Sequence, residues 1–294
     1  MSHVEQAMAA TDLTVTGPGG VRLRVRHWPA SGGVPFVLVH GLASNALMWD
    51  EVGSRLAAAG HPAYAPDARG HGASDDPPTG YDSATFAADL AAVHEQLGIT
   101  RAVLAGHSWG GNVAVRFTAE HPARVAALAL VDGGWIDPSA AFDSWEQCAQ
   151  VMAAPRLASI TVDTLRSYLR LSHPDWSAGA IEAAMENFTV SAGGAVTSRL
   201  TDERRMSIVR SMWEESPALW HPAVAVPVLL LPVLPDTGMP RRAADIRDWM
   251  IKITNAMPDA TVAVREYVDA DHDLPAQQPA RLTSDLIDLA RLAS

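Results

Sequence analysis

The sequence predicts an α/β fold: a mostly parallel central sheet with helices on both faces, plus an inserted helical segment. Short continuous apolar runs recur along the chain, as strands covered on both faces require. Stretches with helical spacing separate them, which is the rhythm of β-α-β units. That rhythm stops over residues 135–221, where no buried strand is evident and helical patterns with Pro and Gly punctuation take over.

The elements follow in order. Residues 1–10 read as a loose leader. Residues 13–15 and 21–26 read as two strands joined by the Gly17-Pro18-Gly19-Gly20 turn, and the second alternates apolar residues with Arg. Residues 35–39 form a continuous apolar run that ends in His40-Gly41-Leu42. A helix is expected over 48–59, closed by Gly60, then a short strand over 62–67. Ser83 is expected to cap a helix with apolar spacing at Phe86, Leu90, Val93 and Leu97, stopped by Gly98. Ala102-Val103-Leu104-Ala105 and residues 125–131 are buried strands; the second ends at Asp132-Gly133-Gly134. After the interruption come a strand over 226–231, a helix over 241–257, a strand over 261–268 and a helix over 279–292. The expected organisation is a core of residues 11–134 and 222–294, with 135–221 as a helical cap.

Composition excludes several classes. The 294 residues are 48% hydrophobic and 19% charged, enough for a sizeable core. The net charge of −11, with no basic run, argues against a nucleic-acid partner. A single cysteine, Cys148, excludes an intrachain disulfide and a multi-cysteine metal site. Neither H-E-x-x-H nor G-x-G-x-x-G nor a P-loop occurs, so no metal and no cofactor are expected. No apolar run is long enough for a membrane span, and the first ten residues contain Glu5 and no apolar core. A cytoplasmic protein with a small-molecule substrate is the expectation.

The chemistry concentrates at Gly106-His107-Ser108-Trp109-Gly110. This G-x-S-x-G follows a buried strand and opens a helix, the setting of a nucleophile elbow. The turn is expected to strain Ser108 and lift its hydroxyl clear of the sheet. Gly106 and Gly110 leave room where side chains would clash, and the helix N-terminus lies beneath a developing anion.

Together with His40-Gly41-Leu42, Asp67-Ala68-Arg69-Gly70-His71-Gly72-Ala73-Ser74 and His272 after the last strand, this pattern resembles the α/β-hydrolase fold superfamily. The resemblance implies a serine nucleophile with a base and an acid. His272 occupies the loop where the superfamily has its base, and it is the only histidine after His221. The backbone N–H groups of Trp109 and Leu42 are the expected oxyanion donors. His40 and His71 match turn positions that shape the pocket or the structure. For the acid two positions stand. Asp236 falls in the usual loop, although Pro232-Val233-Leu234-Pro235 replaces the usual turn there, and it is favoured; Asp132, at the end of the preceding strand, is the alternative.

A serine at the elbow argues against the ester intermediates of epoxide hydrolases and haloalkane dehalogenases, which place Asp there. It points to acyl transfer to water from esters, lactones, thioesters or amides. Carbon–carbon bond hydrolysis or a lyase-like reaction on the same triad, and a catalytically silent ligand-binding protein of this fold, are the alternatives. Five of the nine tryptophans lie in the expected cap, so Trp135 and Trp213 are candidate walls of a mainly hydrophobic pocket.

Overall fold

The computed structural model describes residues 9–154, 160–191, 194–235 and 239–292. An eight-stranded sheet organises them. The elements before the interruption are β1 (Thr11–Thr16), β2 (Arg22–Trp28), β3 (Phe36–Val39), α1 (Asp50–Ala58), β4 (Ala63–Pro66), α2 (Ser83–Gln96), β5 (Ala102–His107), α3 (Trp109–Glu120) and β6 (Val125–Val131). Next come α4 (Pro138–Ala141), α5 (Trp145–Met152), α6 (Val162–Ser172), α7 (Ala178–Met185), a hairpin of β7 (Phe188–Val190) and β8 (Val196–Ser198), and α8 (Asp202–Glu214). The chain then returns through β9 (Val228–Leu231), β10 (Val233–Leu234), α9 (Pro240–Asn255), β11 (Val262–Val264), β12 (Tyr267–Val268), α10 (Leu274–Gln277) and α11 (Pro279–Leu292).

The sheet order is β1-β2-β4-β3-β5-β6-β9-β11. The first two pairings, β1 with β2 and β2 with β4, are antiparallel; from β4 to β11 every neighbour is parallel. The apolar runs are continuous because each strand serves two cores. In β5, Ala102 and Leu104 join the cluster containing α2 and α3, while Val103 and Ala105 join the one containing α1 and α11. The same period of two divides β3 and β9.

Three local expectations are corrected. The cap of α2 is Asp82, whose side chain accepts from Thr85 N–H, and Ser83 is the first helical residue. The strand expected over 261–268 is two: β11 pairs with β9, and β12 pairs with β10. Pro232 is the cause, since it lacks an N–H and separates β9 from β10; Tyr267 N–H then bonds Pro232 O at 2.9 Å. The intervening segment also contains the β7–β8 hairpin besides its helices. Among the described residues no helix is long and apolar enough to cross a membrane.

Candidate active site

Parallel strands deliver two candidate side chains to one end of the sheet. β5 and β6 are neighbours with His107 opposite Val131, so the next residues, Ser108 and Asp132, leave the sheet side by side. Ser108 N–H bonds Val131 O at 2.9 Å, and Asp132 N–H bonds Leu231 O at 3.0 Å. This is the carboxyl end of the strands, where open α/β sheets place ligands.

Ser108 has φ 54° and ψ −126°, a left-handed conformation that a serine adopts only when its surroundings impose it. The surroundings here are close-packed glycines. A Cβ on Gly106 would lie 2.4 Å from Gly110 O, and one on Gly110 would lie 2.4 Å from His40 O. Trp109 opens α3, so its N–H has no acceptor within the helix. The His40-Gly41-Leu42 loop therefore sits directly against the helix start that carries Trp109.

Two buried histidines shape that loop. His40, 1% exposed, donates from Nδ1 to Gly41 O at 2.7 Å and accepts Ala68 N–H at Nε2 at 3.0 Å. His71 donates to Arg69 O and accepts Ala43 N–H at 3.2 Å. Each has both ring nitrogens committed to backbone. Burial pushes His40 down to about 4 and His71 to about 3, so both are neutral. The structure thus gives His40 no free polar atom for a substrate; its contacts hold the loop bearing Leu42. Ala43, the next residue, has φ 58°. The Trp109 ring is 3% exposed, stacks on His71 and meets Phe86 edge-on at 4.6 Å.

His272 follows β12, and its side chain is 48% exposed. Its Nδ1 bonds Asp132 Oδ2 at 2.6 Å. A carboxylate only accepts, so Nδ1 carries the proton and Nε2 is the basic nitrogen. The second Asp132 oxygen, Oδ1, accepts Val233 N–H at 3.0 Å. Asp132 has φ 42°, and Gly133 brings the chain so close to Ser108 that a Cβ there would lie 2.1 Å from Ser108 O. The favoured acid, Asp236, lies outside the described residues; the carboxylate on His272 is the alternative, Asp132. Pro232 explains the geometry, because ending β9 there frees Val233 N–H to hold the Asp132 carboxylate. Burial opposes the His272 charge, but the Asp132 hydrogen bond and the Asp132, Asp273 and Asp271 charges outweigh it and raise its pKa.

His107 does not compete as a base. It is buried, its Nε2–H donates to His272 O at 2.9 Å, and burial lowers its pKa. Of the two candidate pocket walls, Trp135 packs against the core cluster that includes Trp109. Trp213 instead meets Trp145 of α5 edge-on at 6.0 Å, a contact between helices of the intervening segment. Sequence reasoning missed Asn45. It is fully buried, and its Nδ2 donates to Ala183 O and Asn187 Oδ1, both at 2.7 Å.

Comparison with known proteins agrees with this fold. A family model described as the alpha/beta hydrolase fold matches residues 34–155, which contain the elbow and Asp132. The chain has the α/β-hydrolase fold. A non-heme chloroperoxidase from Streptomyces lividans is 41% identical over 119 residues, 40% of this chain and 43% of that protein. A 2-(acetamidomethylene)succinate hydrolase from Mesorhizobium japonicum is 32% identical over 170 residues, 58% of this chain and 59% of that protein. The crystal structure of a putative aryl esterase from Burkholderia cenocepacia superposes with a TM-score of 0.70 at 27% identity, covering 96% of this chain and 99% of that one. The chain spans less than half the length of the curated relatives it matches at 36–41% identity. These relatives are α/β-hydrolase fold proteins whose names cover different reactions, and a shared fold does not choose among them.

Proposed function

We propose that this α/β-hydrolase is a serine hydrolase that cleaves a carboxylic ester or lactone of a mainly hydrophobic small molecule through an acyl-enzyme. The observation that carries the reading is Ser108 on a left-handed elbow, beside an Asp132–His272 pair bonded at 2.6 Å.

The steps follow from the groups. His272 Nε2 takes the Ser108 proton as Oγ attacks the carbonyl carbon. Asp132 holds the imidazole tautomer and stabilises the imidazolium. The Trp109 and Leu42 N–H groups receive the oxyanion, and the positive end of α3 favours it. Collapse expels the alcohol, protonated by His272. Water, deprotonated by the same nitrogen, then releases the acid. Thioesters and amides fit the same steps.

Residues 135–221 act in this reading as the cap, with Trp135 on the pocket side. The Trp213–Trp145 contact favours a packing role for Trp213. The name of the putative aryl esterase is in line with ester chemistry. Turnover of p-nitrophenyl esters and lactones, lost in Ser108→Ala, tests the proposal; a Ser108→Ala protein as active as the wild type refutes it.

A further inference from the structure

The loop carrying His272 is held from two sides. On the core side, His107 Nε2–H bonds His272 O. On the other side the contacts lead into the segment between β6 and β9. His173, just past α6, bonds Asp271 Oδ2 through Nδ1 at 2.5 Å. Gln277 of α10 accepts Asp271 N–H at 2.6 Å and donates to Asp175 Oδ2 at 2.6 Å. Asp271, the residue peptide-bonded to His272, is therefore fixed at both its backbone N–H and its carboxylate. Both holds end within residues 173–175.

This clasp rests on a packed base. The His173 ring stacks on Trp176 with centroids 4.0 Å apart. Trp176 joins Met48, Ala183 and Ala276 in a small apolar cluster shared by α7, α10 and the loop before α1. The loop itself begins at Asp269, which has φ 54° and bonds Leu234 O. A left-handed non-glycine residue at a loop start persists only where later contacts over-determine it.

We infer that His173 is a positioning residue: through Asp271 it fixes the loop that aims His272 at Ser108, so that the intervening segment helps assemble the site. The inference rests on the proposed role of His272 as the base. His173 touches no reacting atom. Its effect is on placement, and displacing a reacting group by about 1 Å costs on the order of 100-fold in rate. Asp271 is the less clean target, since its charge also raises the His272 pKa. Changing His173 leaves that charge in place.

The test compares His173→Ala and His173→Asn in the full chain, with Arg166→Met as control. Arg166 pairs with Glu182 between α6 and α7 and bonds neither Asp271 nor Gln277. Two readouts are taken: the rate of fluorophosphonate labelling with kcat and KM on p-nitrophenyl acetate, and the downfield proton resonance of His272 Nδ1–H. His173→Ala is expected to lower labelling and kcat by about 10- to 100-fold, with KM unchanged and the resonance broadened. Asn places an amide nitrogen where Nδ1 was, so His173→Asn restores most of both, and the control matches the wild type. Should His173→Ala fail to fold, Gln277→Ala cuts the second hold and gives the same kcat-directed loss. Wild-type labelling and an unchanged resonance in His173→Ala overturn the inference, as does an Asn variant no better than Ala. If the wild type does not label but its resonance still depends on His173, the hydrolase reading fails and the positioning role stands.

Discussion

His272 Nδ1 and Asp132 Oδ2 lie 2.6 Å apart although 140 positions separate them in the chain. The sheet makes the meeting possible. β6 delivers Asp132 between Ser108 on one side and the end of β9 on the other, and β12 returns His272 over it. Converting the carboxylate to an amide leaves a hydrogen-bonding group there but no negative charge. Asp132→Asn is therefore expected to lose on the order of 10⁴ in kcat while remaining folded, by analogy with the serine-protease triad. Asp236→Asn is expected to lose far less. Ester turnover with circular dichroism on both variants checks this, and the reverse ranking returns the acid to Asp236.

The pH profile should carry the same signature. His272 acts as a base only when neutral, and its pKa is raised above the usual 6.5. Activity is thus expected to fall with acid, with the limb of kcat/KM above the ordinary histidine value. In Asp132→Asn the residual activity should have its acid limb at lower pH, because the main contribution favouring the imidazolium is gone. A wild-type limb below 6.5 contradicts the assignment.

Stability should also fall with acid, through the buried histidines. His40 and His71 have folded values depressed to about 4 and about 3, against 6.5 unfolded. Below pH 6.5 the unfolded chain binds protons that the native fold refuses, so stability falls as pH falls through that window. For His40 alone the loss reaches about 3 kcal/mol by pH 4. Urea midpoints are expected to drop between pH 7 and pH 5, with a shallower pH slope for His71→Gln. An equal slope in that variant would falsify the account of His71.

The two tryptophans should part company. Trp135→Ala is expected to change the preference among p-nitrophenyl ester chain lengths by about 1–3 kcal/mol, more than it changes the rate on acetate. Trp213→Ala removes an aromatic contact with Trp145 and should lower the melting temperature with little change in preference. Matching effects from the two would mean that neither wall is specific.

Much of this was legible from particular residues. Strands such as β5 and β6 announce themselves because alternate side chains feed different cores, leaving no polar position in residues 102–105 or 125–131. Ser108 is legible because a G-x-S-x-G between a buried run and a helix leaves few other geometries. The split into β11 and β12 was missed because an apolar stretch does not reveal that its partner strand is broken at Pro232. The sequence left two acids open for a related reason: Asp132 and Asp236 both follow strands, and the bond between His272 and Asp132 is visible only in three dimensions. His173 and Asp271 are 98 positions apart, and nothing local in either stretch marks them as partners.

The most direct test of the central claim is stoichiometric labelling by a fluorophosphonate probe, read by intact mass and peptide mapping. The account predicts one adduct per chain, on Ser108, absent in Ser108→Ala and slowed in Asp132→Asn. Folded wild-type protein that takes up no probe, or takes it up equally in Ser108→Ala, would contradict it.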